Sequence, residues 1–184
     1  MKKNLVLAAL SLLVFTFAAS AQKATDFSGT WNLDLAKSTL SEREKGSIQS
    51  QTLTVTQTAT SLTAVTATQR NAPPAGAPAG GPPGGGRMGG GMMGGGDGTA
   101  TYTLDGKEVK SEISGQMGSM QVSTKAKLDG GKLEITRTIT TPMGDRTTTE
   151  KWSLGADGSL SVESQRPNRD GGMDTSTKVY VKKA

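Results

Sequence analysis

Hydrophobic alternation with a period of two residues dominates this sequence beyond its first 21 residues. In FSGTWNLDL, residues 27–35, one face carries Phe27, Gly29, Trp31, Leu33 and Leu35, and polar side chains occupy the other. SQTLTVTQ, residues 50–57, alternates in the same way. Such alternation is typical of strands with one buried face, and helical periodicity is nearly absent. The chain is therefore predicted to be all-β.

The same pattern predicts ten strands in all. Beyond the two above, they lie near residues 60–69, 99–104, 108–114, 119–128, 132–140, 146–154, 159–166 and 175–182. Short glycine-containing turns separate many of them, such as Asp105-Gly106, Asp129-Gly130-Gly131 and Asp157-Gly158. Because strands joined by such turns are antiparallel, the sheet is predicted to be a meander. Only residues 36–46 are expected to form a helical turn or two.

Residues 71–98 interrupt this pattern with 13 glycines and 5 prolines among 28 residues. Three predicted strands precede the stretch and seven follow it, and neither set can cover its own apolar face. Ten strands together can close into an up-and-down barrel with apolar faces inward. The stretch is therefore predicted to be a loop inserted between strands three and four. Its composition predicts disorder, and long surface insertions are tolerated because closure entropy grows slowly with length.

The first 21 residues have the layout of a secretory signal peptide. Lys2 and Lys3 precede an apolar run of about 15 residues, which is shorter than the roughly 20 needed to span a bilayer. Ala19-Ser20-Ala21 then supplies a small-x-small cleavage site. Cleavage there leaves residues 22–184 as one barrel domain, which is expected to be exported to the periplasm or secreted, and not membrane-spanning.

Composition excludes several functional classes. Histidine and cysteine are absent, which removes the usual general base, Ser-His-Asp catalysis, cysteine nucleophiles and zinc-type sites. The acids at strand positions are expected to lie mainly on outward faces: Glu108, Glu112, Glu134, Glu150 and Glu163. Removing two lysines with the signal peptide lowers the formal net charge from +5 to +3, and aromatic residues are only 4% of the chain. A nucleic-acid binder, a cofactor, a metal site and an enzyme are therefore not expected.

The start of the predicted barrel resembles the first strand of the calycin superfamily, which joins lipocalins and intracellular fatty-acid-binding proteins. Gly29-Thr30-Trp31 matches the lipocalin G-x-W pattern, and the F-x-G-T-W run is similar to that of fatty-acid-binding proteins. TKVYVKK, residues 177–183, looks like their closing strand, with Lys178-Val179-Tyr180 where they carry a carboxylate-holding Arg-x-Tyr. Still more closely, the arrangement of FSGTWNLDLAKS, a central DGK, EKWSLGADGSLSVES and a final VYVKK resembles exported bacterial lipocalin-like proteins of unknown function. This resemblance covers the mature chain except the Gly/Pro-rich stretch. The resemblance implies a ligand-binding barrel and a structural role for Trp31.

Arg137 breaks the pattern of its strand and is the leading candidate for a ligand-binding residue. In KLEITRTIT it shares a face with Leu133 and Ile135, so alternation points its guanidinium inward. An unpaired buried charge is costly, so water, an internal acceptor or the barrel rim must solvate it, or it binds a ligand. The hypothesis is that Arg137, with Tyr102 and Trp152 lining the apolar space, holds the acidic end of an amphipathic ligand.

Two other functional classes remain open at this point. The first is a structural or interaction module with a filled barrel, in which the Gly/Pro/Met-rich loop contacts a partner. Small inward residues such as Ala64, Ala126 and Val162 favour an open cavity instead. The second is an outer-membrane barrel, which requires aromatic girdles that this sequence lacks. A small apolar or amphipathic molecule is therefore the expected partner.

Overall fold

The computed structural model of this chain describes residues 25–41, 44–72, 97–115, 118–142, 144–168 and 170–183. They form ten strands, whose bounds differ from the predicted ones by no more than three residues. The strands are β1 (Gly29–Leu33), β2 (Ile48–Gln57), β3 (Ser61–Arg70), β4 (Gly98–Thr103), β5 (Asp105–Gly115), β6 (Gly118–Asp129), β7 (Lys132–Thr141), β8 (Gly144–Leu154), β9 (Leu160–Pro167) and β10 (Met173–Lys182). No helix in this described part is long and apolar enough to cross a bilayer.

All ten strands belong to one antiparallel sheet with the order β4-β3-β2-β1-β10-β9-β8-β7-β6-β5. Sequence neighbours pair with each other except β4 and β5, and β1 also pairs with β10, where Trp31 lies opposite Lys182. This pairing of the first and last strands curls the meander into a barrel. The predicted all-β meander is confirmed.

The barrel is nearly, but not fully, closed. Strands β4 and β5 are consecutive in the chain, but they form the two edges of the sheet and do not pair with each other. Across the gap between the edges, β4 contacts β6. A register shift between Asp105 and Glu108 accompanies this separation, and Gly106 has a positive φ of 74°. Such a bulge bends its strand, so β5 turns away from β4. We call the resulting gap between β4 and the β5–β6 pair the seam.

Large side chains fill one end of the barrel interior, which we call the apolar end. It comprises Phe27, Trp31, Leu62, Leu133, Trp152 and Leu160, all buried. The Phe27 and Trp152 rings meet edge to face at 6.0 Å, and Trp31 Nε1 donates to the Phe27 carbonyl oxygen at 2.9 Å. Lys182 Nζ lies 5.4 Å from the Trp31 ring centroid, within the range of a cation–π contact.

Residues 34–47 connect β1 to β2 across the other end of the barrel. Their described parts form turns at residues 35–37 and 44–47 and an isolated bridge at Thr39, where a helical turn or two was expected. Thr39 and Thr177 exchange two backbone hydrogen bonds of 2.8 Å, and Ser38 Oγ accepts from the Val179 amide at 2.9 Å. The backbone groups of this connection are thus satisfied by β10, which holds it against the barrel mouth.

Two predicted segments lie outside the described residues: the signal peptide at residues 1–21 and most of the Gly/Pro-rich stretch at 71–98. Their predicted disorder and cleavage therefore stay predictions. The strands that flank the stretch are neighbours, however, because Thr66 of β3 pairs with Gly98 of β4. The stretch therefore connects two strands that pair with each other in one sheet.

Candidate functional site

The barrel interior contains a second region, which we call the polar end. Here the inward positions of several strands carry polar or charged side chains, namely Gln51, Arg137, Ser176 and Lys178, all buried. Glu44 reaches this end from the β1–β2 connection, and half-buried Glu150 lies between the two ends. Every fully buried side-chain nitrogen or oxygen among the described residues has a hydrogen-bond partner. The polar end is therefore an ordered network rather than a defect of packing.

Arg137 points inward, as its strand pattern predicts, and is 8% exposed. Its Nη2 donates to the Tyr102 hydroxyl oxygen at 3.1 Å. Within the described part of the chain, no carboxylate is in ion-pair contact with it. The guanidinium lines a 130 Å³ cavity at the seam, together with Thr99, Tyr102, Ser111, Val122 and Thr124. A buried cation thus faces an opening and has only a neutral partner.

Tyr102 separates two cavities. It lines the seam cavity with Arg137, and it also lines an interior cavity of about 50 Å³ with Trp152. Burial is the main cause that raises the pKa of the Tyr102 hydroxyl, and the negative charge of Glu150 raises it further. Arg137 opposes both effects without cancelling them. Tyr102 is therefore a neutral phenol that accepts a hydrogen bond from Arg137 and still has its own proton to donate.

Trp152 lies at the apolar end of the barrel and not beside Arg137. On the paired strands β7 and β8, it lies opposite Leu133, four residues along β7 from Arg137. That separation corresponds to about 13 Å along the strand. Trp152 Nε1 donates to Glu150 Oε2 at 3.3 Å, and its ring packs on Phe27. Of the three predicted ligand-binding residues, Arg137 and Tyr102 therefore come together, and Trp152 joins only Tyr102 in the interior cavity.

The sequence-based placement of Glu150 on an outward face was wrong. Its carboxylate lines the interior cavity and accepts from Trp152. The sequence did contain the information needed to place Glu150 inside. Glu150 and Trp152 are two residues apart on one strand, so their side chains must share a face. Acidic Glu150 and positively charged Arg137 thus occupy inward positions on adjacent strands, and they do not form an ion pair with each other.

A buried ion pair between Lys178 and Glu44 was also missed. Lys178 is 6% exposed, and its Nζ lies 2.7 Å from Glu44 Oε1. Burial alone would raise the pKa of Glu44, but the Lys178 ammonium, the Ser41 hydroxyl and the Arg166 charge together lower it. Lys178 was noted at the position of a carboxylate-holding arginine in fatty-acid-binding proteins. Its partner was unpredictable because Glu44 approaches from a segment that lacks strand periodicity.

Tyr180, two residues beyond Lys178, anchors the middle of the interior. Its hydroxyl donates to Gln51 Oε1 at 2.7 Å, and Gln51 Nε2 donates to Thr68 Oγ1 at 2.7 Å. Burial raises the pKa of the Tyr180 hydroxyl strongly, and the charges of Glu150 and Glu44 add to the shift. Tyr180 therefore acts as a neutral donor across the barrel.

Side chains occupy most of the barrel interior. The interior cavity of about 50 Å³ accommodates a few water molecules, whereas ligand pockets commonly measure 300–1,000 Å³. The small residues Ala64 and Val162 do line it, as expected for an open cavity, but Tyr102, Trp152 and Tyr180 fill the space in front of them. A ligand longer than a few atoms must therefore move one of these rings. Among the described residues, no group of three or more acids is placed to hold a metal ion.

No family model and no curated protein matches this sequence. Among solved structures, the chain is similar to the crystal structure of wild-type fluorescent protein UnaG, with 19% identity over 85% of this chain and 97% of that one and a TM-score of 0.48. A mutant of the same protein gives the same identity and TM-score over 95% of its length. Likeness at this level says nothing about what the present chain binds.

Proposed function

We propose that this protein is an exported, non-enzymatic binding protein that holds a small amphipathic acid at the seam of its barrel. The observation that carries the proposal is the buried guanidinium of Arg137, which faces the 130 Å³ seam cavity without a described carboxylate partner. Arginine's planar fork matches a carboxylate and can bind it through two parallel hydrogen bonds. The acidic end of the ligand binds Arg137, and the Tyr102 hydroxyl donates a second hydrogen bond.

The apolar part of the ligand then occupies the interior cavity beside Trp152. Because the Tyr102 ring stands between the seam and interior cavities, its rotation joins them into one channel. The short side chains of Ala64 and Ala100 leave room for this movement on one side of the interior cavity. The proposal therefore favours a short or flexible apolar tail over a rigid bulky one.

The test uses a fluorescent fatty acid and a neutral probe of equal length. Arg137→Leu is expected to weaken binding of the acid at least tenfold, about 1.4 kcal/mol, and to leave the neutral probe little affected. The variant should keep or gain stability, because it removes a buried charge that has no opposite partner. Arg70→Leu, which changes an exposed arginine on β3, is the matched control. Equal affinity of parent and Arg137→Leu for the acid rejects the site.

A filled barrel that serves as an interaction module is the second candidate. It is supported by the small interior cavity and by β5, an edge strand that pairs only with β6 and on which Val109 is 49% exposed. Unpaired edges are common sites for strand addition by a partner. Absence of binding by the parent protein to both probes, even at high concentration, favours this candidate over the first.

Export is a separate part of the proposal and rests on residues 1–21. Cleavage after Ala21 makes Gln22 the first residue of the mature protein. Intact mass of the exported protein measures this directly. An exported species that retains residues 1–21 contradicts both the cleavage and the proposed periplasmic or secreted location.

A further inference from the structure

A cleft of about 660 Å³ lies at the barrel mouth, outside the interior and seam cavities. It runs between the β1–β2 connection and the hairpin of β9 and β10, and the start of β8 closes one side. Its volume falls within the range of small-molecule sites. The residues that decide its chemistry are Leu40, Glu44, Arg146, Arg166, Met173 and Asp174.

The walls of this cleft are held in place before any ligand arrives. The double backbone hydrogen bond between Thr39 and Thr177 fixes one wall to β10. Ser41 Oγ donates to Glu44 Oε2 at 2.7 Å, and the other Glu44 oxygen lies 2.7 Å from Lys178 Nζ. A preformed cleft loses little conformational entropy when it binds.

Positive charge is in excess in the cleft. In the described part of the chain, neither Arg146 nor Arg166 is in ion-pair contact with an acid. The carboxylate of Glu44 is occupied by Lys178 and Ser41, and Asp174 Oδ1 accepts from Asn168 Nδ2 at 3.2 Å. Neither arginine is therefore held in an ion pair, and both can contact an anion from solution, although Asp174 lies opposite Arg166 in the register of β9 and β10.

Arg146 and Arg166 line the same cleft from adjacent strands. Arg166 lies one residue beyond Gln165, whose pairing with Thr149 ends the β8–β9 register, and Arg146 lies three residues before Thr149 near the start of β8. Arg166 also contributes to the lowered pKa of Glu44, which lines the same cleft. Two planar forks in one cleft suit a doubly charged, multi-oxygen anion.

Two apolar side chains line the same cleft. Met173 is 56% exposed, and half-buried Leu40 also lines the cleft. Methionine adapts its shape to many apolar surfaces, so it suits a small ring or short alkyl group. We infer that the mouth cleft binds an organic phosphate monoester whose dianionic phosphate is held by Arg146 and Arg166 and whose apolar group packs on Met173. This site is independent of the one proposed at Arg137.

Phenyl phosphate is the probe, measured by titration calorimetry with the mature protein at about pH 8, where the phosphate is fully dianionic. Arg146→Gln and Arg166→Gln are each expected to weaken binding about tenfold, or 1.4 kcal/mol. Inorganic phosphate should bind more weakly than phenyl phosphate because it cannot contact Met173. Arg137→Leu should bind phenyl phosphate like the parent.

Arg70→Gln is the matched control, because it removes an exposed arginine elsewhere on the barrel. The thermal midpoint of each variant checks that folding is intact. Three results overturn the inference: no binding of phenyl phosphate by the parent, an equal loss in Arg70→Gln, or a loss in Arg137→Leu with none in Arg146→Gln or Arg166→Gln. The last result assigns the anion to the seam and leaves the proposed function standing.

Discussion

The two ends of the barrel interior are built on opposite physical principles. The apolar end is a packed cluster in which the only side-chain donors are indoles, and Trp31 donates to a backbone carbonyl. The polar end carries an arginine, a lysine and a glutamine at inward strand positions. Burying apolar area stabilises a fold directly, whereas burying charges costs desolvation that a partner at best offsets. The comparison teaches that the apolar end maintains the barrel, and the polar end is where function is to be sought.

The apolar end should show the largest loss of stability. Phe27 is fully buried, and it packs against Trp152. Phe27→Ala is expected to cost about 3–5 kcal/mol, which corresponds to a fall of roughly 10 °C or more in the thermal midpoint. Leu35→Ala, at an exposed position close by in sequence, should change stability by less than about 0.5 kcal/mol. Similar losses for the two variants would mean that the apolar end does not carry the fold.

The buried ion pair of the polar end should show the next largest effect. Lys178→Met leaves the Glu44 carboxylate buried without its cation, which is expected to cost about 3 kcal/mol. Adding Glu44→Leu should restore stability to within about 1 kcal/mol of the parent, because an apolar pair avoids desolvation altogether. Chemical denaturation of the three variants measures this cycle.

An exposed pair provides the control for that cycle. Lys37 Nζ and Asp157 Oδ2 lie 3.7 Å apart on the surface. Lys37→Met should change stability by no more than about 0.5 kcal/mol. If the Glu44→Leu and Lys178→Met double variant is as unstable as the single lysine variant, the ion pair itself stabilises the mouth, and the contrast between the two ends is weaker than proposed.

Glu44 also gives the polar end a dependence on pH. Its pKa is lowered in the folded protein from an ordinary value of 4.5, so the folded carboxylate holds its proton less tightly than the unfolded one. The stability that it contributes is therefore fully present above about pH 4.5 and is lost as the pH falls through the folded-state pKa. The thermal midpoint of Glu44→Gln should fall less steeply than that of the parent between about pH 5 and 3. Parallel pH profiles for the two proteins contradict this role.

The strands and the site differ in how far the sequence predicts them. Most strands have one buried face and most turns are short, so local alternation and glycine turns were sufficient for ten strands in meander order. The seam was not predictable in this way, because Asp105-Gly106 has the same sequence pattern as the true hairpin turns. Only the register shift beside it turns β5 away.

Inward orientation was predictable, but partners were not. Alternation of side chains along the strand was enough to place Arg137 inside the barrel. The same rule places Glu150 inside as well, because Glu150 is two residues from inward-facing Trp152. The hydrogen bond from Arg137 to Tyr102 spans 35 residues and depends on where the barrel fails to close. The contact of Lys178 with Glu44 depends on a connection held by backbone hydrogen bonds to β10. Such contacts are set by tertiary structure, which periodicity does not encode.

The smallest effect is expected from the Gly/Pro-rich insertion, which leaves and re-enters the barrel at the polar end. β3 ends at Arg70 and β4 begins at Gly98, and these strands are direct neighbours, so a short turn can connect them. Replacing Pro73–Gly96 with a turn that contains Asn-Gly should change stability by about 1 kcal/mol, or a few degrees in the thermal midpoint. Both tryptophans of the protein lie at the apolar end, so their fluorescence should stay unchanged in the shortened protein. A shifted emission maximum, or loss of a single cooperative transition, would show that the insertion packs on the barrel and that the two ends are not independent.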